Sequence, residues 1–303
     1  MAAHEFVTVN VFTARRFAGN PLAVFPDARG IDEAAMQTIA AEFNYSETTF
    51  VLPPDNPQHH ARVRIFTPKT ELPFAGHPNV GTGYVLGRRV ERPPEHFVFE
   101  EPAGLVRVHL LRDQPGAPVS GARVAAPRAL TVTDDVRIDI VAACAGLTPE
   151  DIATDAHTPL VASVGTEFVI AEVASVEALA RAVPDLAAFR AAAKQPPHLG
   201  DRFGLHLYAR VDGEATHLRA RLFAPLVGVL EDPATGSANA ALAALLTSLA
   251  PGVDVDLTYE IEQGIEMGRP SLILASARKA VEGPVTASIA GDCVPVMQGT
   301  IEV

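Results

Sequence analysis

The stretch Arg62–Pro68 (RVRIFTP), followed by His77–Gly83 (HPNVGTG), decides the fold because the chain contains it twice. The second copy is Arg219–Pro225 (RARLFAP), followed by Asp232–Ala238 (DPATGSA). The first elements lie 157 positions apart (219 minus 62) and the second 155 (232 minus 77), about half of the 303 residues. Solenoid repeats have periods of roughly 20 to 50 residues, so this repeat indicates a duplication into two similar lobes.

Composition restricts the class of protein. Hydrophobic residues make up 48% of the chain and charged residues 20%, which is enough apolar material for a folded core in each of two lobes. The net charge of -12 argues against a nucleic-acid partner, because phosphate contacts require basic surface. No leader-like start and no run of eighteen apolar residues is present, so we expect a cytoplasmic protein without a membrane partner.

Residue patterns predict the order of elements in the first lobe. Phe6–Phe12 and Pro21–Phe25 are rich in β-branched and aromatic residues and predict a hairpin. Asp32 is placed to cap an amphipathic helix, and Ser46–Leu52 predicts a strand. Charged and apolar residues alternate in Arg62–Phe66, which predicts a half-buried strand whose arginines face water.

The second lobe contains a segment that is apolar nearly all round, Ala240–Leu246. A helix without a polar face must be surrounded by protein, so we expect a sheet to curl around it. A stretch rich in proline and glycine, 113–128, predicts the crossing between lobes, and Lys194–Gly200 predicts a surface loop. We therefore predict an N-terminal lobe of residues 1–118, completed by a returning terminal strand at 296–303, and a C-terminal lobe of residues 119–295.

The repeated turns supply small residues and hydroxyls at two helix starts. Backbone N–H groups in a first helical turn have no partner within the helix and carry partial positive charge. Two such starts meeting between the lobes would bind a carboxylate, with contributions from Gly81, Thr82, Gly236 and Ser237. Ordinary helix capping is the simpler alternative.

His77 and Asp232 precede the repeated prolines and are candidates for two walls of one cleft. A histidine can donate or accept a proton near neutral pH, and a carboxylate can hold a substrate through hydrogen bonds. Both could instead be helix caps. Glu47, where a helix gives way to an apolar strand, could be a catalytic acid or merely an exposed edge charge.

Four motifs resemble the PhzF-like phenazine-biosynthesis isomerase family: Phe17–Val24, Asn44–Thr48, Phe74–Pro78 and Glu231–Ala238. The resemblance covers nearly the whole chain. It implies an α+β fold like that of diaminopimelate epimerase, with two pseudo-symmetric lobes, each a curled mixed sheet wrapped around a central helix, and a site in the cleft between them.

The resemblance also implies a function: isomerisation by moving a proton along a small unsaturated carboxylic acid, without metal or organic cofactor, in a homodimer. Glu47 matches the general acid/base of the family, and His77 and Asp232 match residues that bind the substrate and stabilise the delocalised intermediate. Ser46, Gly76 and Ser237 match positions that line the pocket.

Two other functions stay open at this point. Racemases and epimerases of the same fold use two facing cysteines, roughly where Gly76 and Asp232 fall here, and this chain has only Cys144 and Cys293, outside both repeats. Epimerisation by Glu47 with another partner remains an alternative, as does a non-catalytic protein that binds a small acid. A metal hydrolase is disfavoured because the histidines form no helical ligand pair with a carboxylate.

Overall fold

The structure is a computed structural model in which residues 2–194, 196 and 198–303 are described. Part of the predicted Lys194–Gly200 loop, residues 195 and 197, lies outside the described residues. Contacts divide the chain into two compact units. The first comprises the chain up to Pro127 together with Ile289–Val303, and the second comprises Arg128–Ser288. The first unit therefore ends at residue 127 and resumes at residue 289, whereas the predicted N-terminal lobe ends at 118 and resumes at 296.

The first unit contains nine strands and two helices among its described residues. They are β1 (Ala3–Val11), β2 (Asn20–Phe25), α1 (Glu33–Phe43), β3 (Glu47–Leu52), β4 (Ala61–Phe66), β5 (Glu71–Leu72), α2 (Gly76–Arg89), β6 (His96–Glu101), β7 (Gly104–Leu111), β8 (Gly121–Ala125) and β18 (Thr286–Glu302). The predicted hairpin is confirmed as the antiparallel pair β1 and β2. The predicted cap is also confirmed, because the Asp32 side chain accepts a hydrogen bond from the Ala35 N–H at 2.8 Å.

Strand pairing closes the sheet of this unit around α2. The order is β1, β2, β3, β4, β6, β7, β8 and β18, and β18 returns to pair with β1. The pairs β2 with β3 and β4 with β6 are parallel, so the sheet is mixed. Helix α2 contacts β1, β2, β3, β7 and β8 and is buried along most of its length. The stretch predicted as a crossing between lobes in fact contains β8.

The second unit has a related arrangement. Its elements are β9 (Thr131–Asp135), α3 (Ile138–Ala145), β10 (Ile152–Ala153), β11 (Leu160–Ser163), β12 (Glu167–Val173), α4 (Val176–Arg181), α5 (Leu186–Ala192), β13 (Leu205–Arg210), β14 (His217–Ala224), β15 (Val229–Asp232), α6 (Gly236–Leu249), β16 (Val255–Gln263) and β17 (Ser271–Lys279). Strands β12 with β13 and β14 with β16 pair in parallel. Helix α6, which contains the segment apolar all round, is buried against β11, β12, β16 and β17.

The two units repeat each other with two different offsets. Thr48 lies opposite Phe66 in the first unit, and Leu205 lies opposite Phe223 in the second, so the strands match at 157 positions (223 minus 66). The helices begin at Gly76 and Gly236 and therefore match at 160 positions (236 minus 76).

This register corrects the matching of His77 with Asp232. His77 is the second residue of α2 and corresponds to Ser237, whereas Asp232 ends β15, before α6 begins. The prolines misled the alignment, because Pro78 lies inside its helix and Pro233 lies before its helix. Neither His77 nor Asp232 occupies the N-cap position, which is Ala75 in α2 and Thr235 in α6.

The arginines of the repeated strands do not all face water. This corrects the prediction that the arginines of the half-buried strand are solvent-exposed. Arg64 donates two hydrogen bonds to Glu71, at 2.7 and 2.6 Å, and Arg221 donates two to Glu231, both at 2.8 Å. Each guanidinium also lies over the ring of a phenylalanine two residues later. The Arg221 side chain is only 7% exposed, because it also donates to carbonyl groups at the end of α4. In each unit, this bidentate pair of arginine and glutamate, here called the fork, joins the strand to the segment that leads to the buried helix.

Candidate active site

Glu47 and His77 come together inside the first unit. Glu47 is the first residue of β3, and His77 is in the first turn of α2, which the closed sheet surrounds. The Glu47 Oε2 atom lies 3.1 Å from the His77 Nε2 atom. The side chains are 15% and 7% exposed, so Glu47 is not an exposed edge charge. The arrangement places a carboxyl group and an imidazole close together, although the Oε2 and Nε2 atoms are not aligned as a hydrogen bond.

Burial holds His77 in its neutral form. Loss of hydration lowers the pKa of His77 to about 3, and a hydrogen bond from the ring to the Pro21 backbone only partly opposes this shift. A neutral imidazole donates through one nitrogen and accepts through the other. With the ring donating to the carbonyl group of Pro21, Nε2 is the nitrogen that presents a lone pair to the Glu47 carboxyl.

A hydrogen bond connects the start of β2 to the residue before Glu47. The Ser46 hydroxyl donates to the Asn20 Oδ1 atom at 3.1 Å, which ties the residue preceding Glu47 to the start of β2. Leu22 lies opposite Glu47 in the parallel pairing of β2 and β3. The motifs Phe17–Val24 and Asn44–Thr48, distant in sequence, are therefore neighbours. Gly76, the first residue of α2, is buried next to His77.

Gly81 and Thr82, predicted as binding residues, face the protein interior. A Cβ atom at Gly81 would lie 2.5 Å from a Leu22 methyl carbon, so glycine permits the close approach of α2 to the sheet. Thr82 is fully buried, and its hydroxyl lies 2.8 Å from the Thr49 hydroxyl. Both residues hold α2 in place, and their backbone and hydroxyl groups are already occupied by packing and hydrogen bonding. The helix start itself lies one turn earlier.

In the second unit, Asp232 is partly buried at the end of β15. Its Oδ2 atom accepts a hydrogen bond from the Thr235 hydroxyl at 2.5 Å. Gly236 is buried and Ser237 half-buried at the start of α6. Neither Ala75 nor Thr235 makes a side-chain cap hydrogen bond at its helix start. The simple capping alternative therefore does not describe these turns.

A buried polar network, which no sequence motif indicated, supports the start of α6. The Gln263 Oε1 atom accepts from Asn239 Nδ2 at 2.7 Å and from the Thr235 N–H at 3.1 Å. The Gln263 Nε2 atom donates to the Asp232 carbonyl at 2.8 Å. His206 Nε2 lies 3.1 Å from the Asn239 Oδ1 atom, and burial lowers the pKa of His206 to about 4.

The first unit has the counterpart of this network. Asn79 matches Asn239, and the two asparagines make the same bond, from Nδ2 to the N-cap carbonyl at 3.0 Å. Glu101 occupies the place of Gln263: Arg62 lies opposite Glu100 in parallel pairing as Arg219 lies opposite Glu262, and Glu101 and Gln263 follow. The asparagines match at 160 positions (239 minus 79) and Glu101 matches Gln263 at 162 (263 minus 101), so the strand pairing, and not a single sequence offset, reveals this relation.

The cysteines are poor candidates for acid/base chemistry. Cys144 and Cys293 are both buried and free. Loss of hydration raises the pKa of Cys144 to about 12 and raises that of Cys293 well above its usual range. A thiol must ionise readily to remove a proton from carbon, so a two-thiol racemase lacks its essential groups.

In the described parts of the chain, no three histidine, cysteine or carboxylate side chains come together to hold a metal ion. Among the same residues, no helix combines the length and the apolar character needed to cross a bilayer.

Comparison with known proteins gives consistent results over the full length. An isomerase of uncharacterized role from Mesorhizobium japonicum is 38% identical, and the alignment covers 99% of each chain. The trans-2,3-dihydro-3-hydroxyanthranilate isomerase of Pseudomonas fluorescens is 33% identical over 98% of this chain and 99% of its own. The crystal structure of a PhzF-family protein from Bacillus anthracis superposes with a TM-score of 0.87 at 26% identity and covers 100% of both chains.

A more distant likeness concerns the fold alone. A probable proline racemase from Agrobacterium radiobacter matches with a TM-score of 0.62 at 15% identity, covering 99% of this chain and 93% of that one. This agrees with the predicted α+β fold of the epimerase type. The family described as phenazine biosynthesis-like protein, PhzC-PhzF, matches residues 9–299. The chain therefore belongs to the PhzC-PhzF family and is an isomerase.

Proposed function

We propose that this isomerase moves a proton on a small unsaturated carboxylic acid, with Glu47 as the general acid/base. The observation that carries the proposal is the buried pair of Glu47 and neutral His77, 3.1 Å apart. The Glu47 carboxylate removes a proton from one carbon, and the electron pair delocalises over the adjacent double bond. The carboxyl group, whose proton exchanges with solvent, then delivers a proton to another carbon. No atom is gained or lost and no oxidation state changes, so a proton carrier suffices.

His77 has a supporting role in this proposal. As a neutral imidazole whose N–H is held by Pro21, it can accept a hydrogen bond from a protonated Glu47 without adding a positive charge that would hold Glu47 permanently ionised. Glu47 can then be protonated at one stage of the cycle and ionised at the next, as a general acid/base requires. Asp232, Ser46, Gly76, Gly236 and Ser237 are proposed to contact the substrate, as the family motifs imply.

The substrate class follows from the relatives. The Pseudomonas fluorescens relative is named for trans-2,3-dihydro-3-hydroxyanthranilate, a carboxylic acid, and is 33% identical to this chain. We propose an acid of the same class here and not phenazine production itself. Because the chain is an isomerase, the alternative of a small-acid binding protein without catalysis is set aside. A homodimer, which the family resemblance implies, remains a proposal that sedimentation velocity would test.

The first prediction is that Glu47→Gln stops proton transfer while the protein stays folded. Turnover and solvent-deuterium uptake should fall by about 10²- to 10⁴-fold, the usual contribution of a general acid/base. The measurement is mass spectrometry of the product formed in D₂O, over a panel of small unsaturated acids that includes trans-2,3-dihydro-3-hydroxyanthranilate. Glu42→Gln, at an exposed carboxylate of α1, is the matched control and should behave as wild type.

Two results would contradict the assignment. Undiminished deuterium uptake by Glu47→Gln, with a substrate that the wild type converts, would remove Glu47 from the chemistry. A product that differs from the substrate only in its stereochemistry would favour the epimerase alternative over movement of a double bond.

A further inference from the structure

Glu101 is a buried acid that the proposed reaction does not use. It ends β6 and is 9% exposed. Burial raises the pKa of Glu101 to about 8, and the nearby Asn79 side chain opposes this only in part. Within the described residues, neither carboxylate oxygen has a well-aligned hydrogen-bond partner, and the same holds for the Oδ1 atom of Asn79. Three buried polar atoms are thus gathered at the start of α2, two residues after His77.

The charged groups around Glu101 are largely engaged with each other, although the buried Arg62 Nε atom has no hydrogen-bond partner among the described residues. A cavity of about 370 Å³ is lined by Glu101 together with Asp55, Arg62, Arg64, Glu71 and Glu100. Arg64 forks onto Glu71, and Arg62 lies 3.3 Å from Asp55. Glu100 accepts hydrogen bonds from two backbone N–H groups and lies 2.6 Å from the His59 ring. None of these groups forms an ion pair with Glu101 among the described residues. An ionised Glu101 would therefore be a buried charge without a countercharge.

In the second unit, the residue that corresponds to Glu101 shows which hydrogen bonds a side chain at this position makes. Gln263, the counterpart of Glu101, uses its carbonyl oxygen to accept from Asn239 and its N–H to donate to the Asp232 carbonyl. An amide thus joins the helix to the segment leading into it. A protonated carboxyl group has the same shape and the same functions, one carbonyl acceptor and one donor. An ionised carboxylate has no donor.

We propose that Glu101 is a positioning residue that carries a proton in the active enzyme and substitutes for an amide. Its carbonyl oxygen faces Asn79, and its O–H donates to a backbone carbonyl of the segment before α2, as the Gln263 Nε2 atom donates to the Asp232 carbonyl in the second unit. The hydrogen bond ties the segment before α2 to β6 and so holds the helix turn that carries His77. The effect on catalysis rests on the function proposed for His77 and Glu47, whereas the protonation of Glu101 does not.

The first test measures protonation without any substrate. Unfolding free energy is determined by urea titration from pH 4 to 9.5 for the wild type, Glu101→Gln and, as a control, Glu95→Gln at an exposed position just before β6. The unfolded chain loses the Glu101 proton near pH 4.5 and the folded protein near pH 8. Wild-type stability therefore falls over this interval relative to Glu101→Gln, and the difference levels off above pH 8.

The outcomes are distinct. A difference between Glu101→Gln and wild type that grows from pH 4.5 to 8, with a flat difference for Glu95→Gln, supports the proposal. A flat difference for Glu101→Gln overturns it, whatever the result of the Glu47 experiment. Gln263→Glu supplies the reciprocal test, because a new buried carboxyl at the matching position should create the same pH dependence in the second unit.

The second test concerns turnover. Wild-type kcat should decline above about pH 8, as Glu101 ionises, and Glu101→Gln should extend full activity to higher pH. Glu101→Leu, which lacks both the donor and the acceptor, should lower kcat about tenfold at every pH and leave KM within about threefold, the cost of one lost hydrogen bond. An alkaline decline that is identical in wild type and Glu101→Gln would overturn the positioning role.

Discussion

The start of α2 and the start of α6 have the same backbone framework but different functional groups. In both units an arginine forks onto a glutamate before the helix, and an asparagine in the first turn bonds to the N-cap carbonyl. The differences lie at other positions. The first unit has His77 where the second has Ser237, and it has Glu101 where the second has Gln263.

Glu47 makes the contrast sharper. Since Thr48 corresponds to Leu205, Glu47 corresponds to Gly204, which has no side chain at all. The titratable pair of the proposed reaction therefore belongs entirely to the first unit. The duplicated framework is present in both halves, and the second unit has Ser237 and Gly204 at the positions of His77 and Glu47. The second unit contributes polar groups that are held in fixed positions.

The largest effect should come from replacing His77 by its counterpart. His77→Ser removes the imidazole beside Glu47 and leaves a residue that the same backbone position accepts in α6. We expect turnover to fall at least about 100-fold, because the Glu47 proton loses its partner. Steady-state kinetics and a thermal melt measure activity and folding together, with His109→Ser, at an exposed position of β7, as control. Turnover within a few-fold of wild type would mean that the difference between the helix starts is not catalytic.

The fork of arginine and glutamate offers a second way to separate the units. Arg221 is 7% exposed and also donates to the Leu179 and Ala182 carbonyls, whereas the Arg64 side chain is 20% exposed. Removing one partner of a buried pair costs about 3 to 5 kcal/mol, and an accessible pair contributes about 1 kcal/mol or less. Arg221→Ala should therefore lower the free energy of unfolding far more than Arg64→Ala, as measured by urea titration.

A matched control and a triple variant complete that test. Arg107→Ala, at an exposed position of β7, should change stability little. Glu266 Oε2 also lies 3.9 Å from Arg221 Nε, so Arg221, Glu231 and Glu266 must be replaced together by Met, Leu and Gln. This triple variant should restore much of the loss, because none of these three charges then remains buried. Equal losses for Arg64→Ala and Arg221→Ala would show that burial does not distinguish the two forks.

Much of this architecture could be predicted from the repeat. Charge alternation in Arg62–Phe66 identified a strand, the Asp32 cap identified a helix, and the apolar Ala240–Leu246 segment identified a helix enclosed by a sheet. These patterns are local, because each follows from the periodicity of one element. The pairing of Ser46 with Asn20 across the parallel strands also follows once the motifs are recognised as neighbours.

The register between the halves could not be predicted in the same way. The strands match at 157 positions and the helices at 160, since the connecting segments differ in length, and the prolines suggested 155. Glu101 and Gln263 match at a third offset, 162 positions, which only the strand pairing reveals. Gly81 and Thr82 are predicted as binding residues because they follow the repeated proline, and sequence cannot tell which face of a helix meets the sheet when the helix is enclosed on all sides.

The smallest predicted effect concerns pH and the second unit. His206 is hydrogen-bonded to Asn239 and corresponds to Thr49 of the first unit. The variant His206→Thr therefore places in the second unit the residue that the first unit has at this position. Burial lowers the pKa of His206 from 6.5 to about 4 in the folded protein. The unfolded chain therefore binds a proton between these values while the folded protein does not, and the stability of the wild type falls as pH decreases.

His206→Thr lacks this titration, and the other histidines cancel when the two proteins are compared. The stability advantage of the wild type should be greatest above pH 6.5 and should shrink by at most about 1.4 kcal/mol per pH unit between pH 6.5 and 4. Urea titrations at pH 4.5, 5.5, 6.5 and 7.5 measure it. An advantage that stays constant over this range would show that His206 takes up its proton at the same pH in the folded and unfolded states, which would contradict a buried imidazole held neutral by the network.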